Sequence, residues 1–288
     1  MKRLLPFVLS GGVLALAVAT AVTASLTAPT GTRTSSGNSF SAGSGWASTA
    51  LAVWSPFPVN ARLRPLVLTG PVIDDPSSGF PDGAAKLAYI DGAIDPPGQW
   101  PAGPLSADAY PLRSAQESFR AFSSASTKAP LPAQRLPVVR VDLGTAVFGT
   151  DRGALTLPAW QFWLQGVHLP ASVLAVAPER IFQPRLGSGL TSQISARLDS
   201  TDRRLTVFFF GAAPGTGPCT ADYTVEASPS LTAVAIRPIE HFHYQALATV
   251  CSAVGYLRQA SVALSSPLGV RVLVDAGNDA PIPVAIGS

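Results

Sequence analysis

The chain is short of the residues that most often do chemistry. Among 288 residues there are two cysteines, one methionine and three histidines, and only 13% are Asp, Glu, Lys or Arg. It contains no G-x-S-x-G, no S-x-x-K, no H-E-x-x-H, no P-loop and no Rossmann glycine fingerprint. The local signatures of serine acyl transfer, zinc hydrolysis and nucleotide binding are therefore missing. A Ser-His-Asp triad has its residue types but no pattern to support it, and paired cysteines leave no thiol nucleophile. Lysine is scarce too: Lys2, Lys86 and Lys128 are the only three among 20 basic residues. No basic run or basic stripe interleaved with aromatics occurs, which argues against a nucleic-acid partner. No cysteine precedes Cys219 and no twin-arginine pair opens the chain, so neither lipid attachment nor twin-arginine export is expected.

What the N-terminus does have is an export signal. Lys2 and Arg3 form a short positive region, residues 4–18 (LLPFVLSGGVLALAV) are apolar, and Ala19, Ala21, Val22 and Ala24 supply the small-residue spacing of two cleavage sites. Residues 1–24 are read as a signal peptide. The rival is an uncleaved membrane anchor, weakened by Pro6, Gly11 and Gly12. Cleavage removes Lys2 and Arg3 and lowers the net charge from +3 to +1. Residues 25–62 are rich in Ser, Thr and Gly and read as a tether. Residues 63–133 read as a Pro/Gly-rich α+β region and 134–288 as a β-rich domain. The expected location is secreted or cell-surface, membrane-anchored only if the N-terminal segment stays.

The fold class expected is α+β, mostly antiparallel β. A C-terminal sheet or small sandwich closed by one disulfide follows one short helix in the first half. The last third carries the pattern: 205–210 (LTVFFF) reads as a central strand apolar on both faces. Tyr223, Val225 and Ala227 alternate with polar residues, as do Val234 and Ile236, Ala260 and Val262, and Val272 and Val274. Cys219 and Cys251 each precede one of these strands. A bridge between them is expected to stabilise by roughly 3–4 kcal/mol, whereas a redox or metal pair has no C-x-x-C to support it.

Upstream, 114–122 (SAQESFRAF) is the helix signal, with Ser114 as N-cap and Glu117 closing a capping box. The many prolines and glycines of 70–111 leave room only for loops and short strands. In 136–143, Val139, Val141 and Leu143 are expected inward, with a turn region at 144–153. In 153–166 the apolar parity changes at Pro158 and Ala159, which predicts a β-bulge there.

Two arrangements hint at ligands. His241 and His243, in the run EHFH, project to one side of an extended chain and offer two imidazoles to zinc or copper, with Glu240 pointing away and a third ligand to be found elsewhere. The alternative is a loop with two solvated histidines. Trp160, Phe162 and Trp163 form the other: Trp160 and Phe162 are read as core, and an exposed Trp163 as a platform for a glycan or envelope polymer. Asp151 and Arg152 read as a salt-bridged turn, and Asp74, Asp75 and Asp82 as turn residues rather than a calcium loop.

Four stretches, SAQESFRAF, TDRGALTLPAWQF, CTADYTVEA and VGYLRQASVALSSPLGVRVLVD, resemble a group of secreted or lipoprotein-like hypothetical proteins of actinobacteria. The resemblance runs from about residue 63 through most of the chain. It implies a compartment and a lineage and brings no catalytic residues. The expectation is an exported, non-enzymatic binding or cell-envelope module without a cofactor, whose partner is a cell-wall polymer or an envelope protein. The alternative is a metal-dependent extracellular enzyme or metal carrier using His241 and His243.

Overall fold

The structure is a computed structural model that describes residues 45–76, 78–124, 135–184, 192–243 and 250–286. The signal peptide, the first part of the tether and the 125–133 stretch of the expected boundary lie outside these residues. After a 3-10 turn at Gly45–Ala47, the first half runs through α1 (Ser48–Val53), β1 (Ile73–Asp74), α2 (Gly83–Ile90) and β2 (Ile94–Asp95). It continues with β3 (Ser106–Ala107), β4 (Tyr110–Pro111) and α3 (Ala115–Ser124). Long strands follow: β5 (Leu136–Thr150), β6 (Gly153–Leu164) and β7 (Ala171–Leu174). The last third holds β8 (Ser195–Leu198), β9 (Arg204–Gly211), β10 (Ala221–Pro229) and β11 (Ala233–Phe242), then β12 (Tyr256–Ala263), β13 (Val272–Asp275) and β14 (Val284–Ile286). No helix among the described residues is long and apolar enough to cross a membrane.

The expected sandwich is present. A three-stranded sheet, β10-β11-β13, faces a four-stranded one, β12-β9-β8-β14. Leu205, Val207 and Phe209 of β9 meet Val225, Val234, Ile236 and Leu273 across one core. Pairing is antiparallel except for β11 with β13 and β14 with β8. The central strand is fully buried on one face only, since Phe210 is 65% exposed. The first half of β11 is buried on both faces: Val234 and Ile236 enter the sandwich core, while Ala233 and Ala235 meet Trp54 and Phe57.

That last contact shortens the expected tether. Gly45 onward is folded, and Trp54 and Phe57 are buried, with the Trp54 indole N–H donating to the Asp279 carbonyl at 2.8 Å. Composition hid this because two aromatic anchors suffice to fix a segment of small residues against a sheet.

Besides the two-stranded β3-β4 pair, a five-stranded sheet has the order β1-β7-β6-β5-β2. α2 and α3 cover one face, where Ala85, Ala88, Phe119 and Phe122 pack on Val138, Phe162 and Val173. This core joins the expected 63–133 region to the start of the β-rich domain. The capping box forms as read: the Ser114 N–H donates to Glu117 Oε2 at 2.8 Å and the Glu117 N–H to Ser114 Oγ at 3.2 Å. These bonds hold the Glu117 carboxyl below its ordinary range.

Three local expectations are corrected. Among the described residues the first half holds three helices rather than one. α2 arises where Asp82 was read as a turn residue: its carboxylate accepts from the Ala85 N–H at 2.7 Å and caps the helix. Asp82→Ala is expected to cost about 1 kcal/mol, seen as a lower urea midpoint with an unchanged denaturant slope. Second, residues 144–150 continue β5, so the turn is confined to Asp151 and Arg152. Third, the bulge lies between Val138 and Arg140 of β5 and turns Val139 outward, 62% exposed. At Pro158 and Ala159 the pairing is regular. The parity change there marks a strand passing between two cores, with Leu157 and Ala159 in one and Trp160, Phe162 and Leu164 in the other.

Candidate functional site

The disulfide marks a place where the sandwich opens. β9 ends at Gly211 because the loop GAAPGTGP cannot extend it. The chain returns through Cys219, whose φ of +67° is rare for a residue with a Cβ. This bend lets the Thr220 hydroxyl donate to the Gly217 carbonyl at 2.6 Å and the Ala221 N–H to the Ala213 carbonyl at 3.1 Å. Cys219 is bonded to Cys251 with a Cα–Cα distance of 5.5 Å, and no free cysteine remains. The bond pins residues 250–255, which belong to no strand, beside the ends of β9 and β11.

Between these pieces lies an open groove of about 470 Å³. Phe210, Phe242, Val254 and Tyr256 stand on its rim, and 58% of Phe242 and 43% of Tyr256 are exposed. Glu240 supplies its carboxylate. Tyr223 lies opposite Glu240 in the β10–β11 register and donates its hydroxyl to Glu240 Oε1, while accepting from the Ala212 N–H at 2.6 Å. Desolvation, helped by the Glu240 carboxylate, pushes the Tyr223 hydroxyl up from its ordinary value. Gly211 permits this contact, since a Cβ there would lie 2.4 Å from the Tyr223 oxygen. Arg258 stacks over the Tyr223 ring at 4.9 Å and donates to the Ala212 and Ala221 carbonyls. The polar side of the groove is thus held in place by interlocked bonds.

His241 belongs to β11 rather than a loop, and His243 follows its end. His241 is opposite Asp222, and its Nε2 lies 2.8 Å from Thr224 Oγ1. His243 Nε2 lies 3.1 Å from Asp222 Oδ2, at ion-pair distance but without hydrogen-bond alignment. Both imidazoles therefore share a face with Asp222, and Glu240 points to the other face as read. Among the described residues no group of three His, Cys, Asp or Glu side chains is gathered to hold a metal ion. His168 sits against Gly79 beside the five-stranded sheet.

Trp160 and Trp163 lie on opposite faces of β6. Trp160 is 2% exposed and its indole N–H donates to the Arg113 carbonyl at 2.9 Å, so no polymer reaches it. Phe162 is core, as read. Trp163 faces the other way, but its indole N–H donates to Asp142 Oδ2 at 3.0 Å and the Arg140 guanidinium covers its ring at 4.2 Å. Among the described residues the exposed aromatics are Phe210, Phe242 and Tyr256. Strand parity carried a signal for Phe210, which alternates with buried Phe209; the β9–β12 pairing brings Tyr256 beside it, and the disulfide holds Val254 at the same groove.

Comparison with protein-family models, with curated proteins and with solved structures found no match.

Proposed function

We propose that the protein is an exported, non-enzymatic binding module of the cell envelope and that its groove holds a sugar-rich cell-wall polymer. One observation carries this reading: three exposed aromatic rings surround a fixed carboxylate in an open groove. Aromatic faces take the C–H faces of sugar rings, and a carboxylate locked by Tyr223 accepts from hydroxyls at a defined position. The disulfide is compatible with an oxidising extracellular compartment, and the N-terminal pattern and the actinobacterial resemblance point the same way.

The test is co-sedimentation with purified insoluble cell wall. The native protein is expected in the pellet. Phe242→Ala with Tyr256→Ala is expected to weaken retention by roughly tenfold or more, the effect of about 1.4 kcal/mol. Trp163→Ala is expected to change nothing. A native protein that stays in the supernatant, or a double variant retained as well as the native one, rejects the reading.

The metal-dependent alternative stands second. Its support is that His241 and His243 project to one face of the β10–β11 pair. Stoichiometric zinc retained by the native protein and lost from His241→Ala with His243→Ala would reverse the order.

A further inference from the structure

We infer that the protein self-associates through the outer edge of β12, which no strand among the described residues covers, a second copy extending the four-stranded sheet antiparallel across a two-fold axis. β12 stands at the end of the order β12-β9-β8-β14. The Leu264 N–H donates to the Arg203 carbonyl at 2.7 Å, one step beyond the Ala263–Arg204 pair of the same register. Antiparallel ladders alternate, so the even-numbered residues of β12 bond to β9. The backbone N–H and C=O groups of Leu257, Gln259, Ser261 and Ala263 then point away from the sheet. The side chains of the same four residues are exposed.

Other sheet edges are short or charged. β1 and β2 are two residues long, β14 three and β13 four. β10 is nine residues long but carries Asp222 and Glu226 and ends on Pro229. These are the usual protections against edge pairing. β12 is eight residues long, lacks proline and pairs with β9 without a bulge. Its one charge, Arg258, is turned inward to the Ala212 and Ala221 carbonyls.

The occupant is a second copy because the edge complements itself. With the two-fold axis at Ala260, Leu257 faces Ala263 of the second copy and Gln259 faces Ser261 of the second copy. All four outward residues of each chain then find partners, apolar against apolar and amide against hydroxyl, and no like charges meet. Leu257 and its β9 neighbour Phe210, 68% and 65% exposed, lie on the flank of the joined sheet. This inference does not rest on the sugar-binding reading.

Sedimentation equilibrium on the oxidised protein over roughly a hundredfold range of concentration decides it. The native chain is expected to reach twice its monomer mass at the upper end. Gln259→Pro removes one outward N–H and leaves the bonds to β9 intact. It is expected to raise the dissociation constant at least tenfold, with the dilute-solution melting temperature unchanged. Leu257→Lys places a charge on the edge and is expected to do the same; it decides the matter if the proline variant fails to fold. A native chain that stays monomeric throughout, or a dimer that survives the substitutions, overturns the inference.

Discussion

Asp151→Ala is expected to cost about 3–5 kcal/mol, because it strands buried positive charge. The Asp151 side chain is 2% exposed at the tip of the β5–β6 hairpin. It accepts from both terminal nitrogens of Arg64 and lies 3.7 Å from Arg152 Nε. Those two guanidinium side chains are only 22% and 20% exposed. They also reach across the molecule: Arg64 donates to the Val270 carbonyl at 3.0 Å, and Arg152 to those of Gly269 and Arg271 at 2.6 and 2.7 Å. The Asp151 main chain adds a bond from its N–H to the Val67 carbonyl and one to its carbonyl from the Val284 N–H. One carboxylate thus anchors a clasp between the five-stranded sheet and the sandwich. Burial already pulls the Arg152 guanidinium below its ordinary value, with Asp151 opposing the shift. Without Asp151 that opposition is gone, and both arginines must break their carbonyl bonds to reach water. Glu226→Ala provides the contrast. Its pair with Arg237 is 2.7 Å long, but both side chains are more than 40% exposed, so a loss of about 1 kcal/mol or less is expected. Equal shifts of the urea midpoint for the two variants would refute the clasp.

Much of the fold was legible because it depends on local periodicity. Alternation in 205–274 located β9 through β13, and the Ser114–Glu117 spacing located α3 with its capping bonds. The errors arose where one strand serves two cores or where a cap lies among glycines. β6 changes its apolar parity at Pro158 and Ala159. A period-2 reading treats that as a kink, whereas the chain runs straight between the Leu157–Ala159 core and the Trp160–Phe162 core. Val139 faces solvent because of a bulge that its own alternation does not reveal. The segment around Trp54 was read with the tether because it follows directly on a Ser/Thr/Gly-rich run; its anchoring depends on Ala233 and Ala235, remote in sequence.

The site was less legible, for the same reason. The sequence marked Trp163 as the aromatic to watch and parity placed it on the outer face, but not the Arg140 guanidinium that covers it. It placed His241 and His243 on one side, but not Asp222, which a neighbouring strand brings opposite them. The groove joins Phe210, Phe242 and Tyr256 from three strands, with the β9–β12 ladder setting Tyr256 beside Phe210 and two cysteines 32 positions apart closing the loop next to them. Such a site has no motif, because its residues are adjacent only after the sheets have formed.

Removing that bond is the second large effect expected. Cys219→Ser with Cys251→Ser opens a loop of 32 positions, and the chain-entropy relation gives a loss of about 3–4 kcal/mol. In a chain of this size the melting temperature is expected to fall by roughly 10 °C. The loss should be uneven. The sandwich core of Leu205, Val207, Val234 and Ile236 needs no help from the bridge, being formed by β9 and β11 within their own sheets. Residues 250–255 do need it: all are exposed and none belongs to a strand. Well below the melting transition the double variant is therefore expected to keep its far-ultraviolet circular dichroism while limited proteolysis cuts faster within residues 250–255. Cell-wall retention should fall as that cleavage rises, since Val254 loses its position beside Phe242. Because Cys251 is exposed, a reductant should reproduce both changes in the native chain, and reoxidation should reverse them. Retention that persists after reduction, with residues 250–255 open to proteolysis, would separate sugar binding from the groove and leave the disulfide a purely stabilising role.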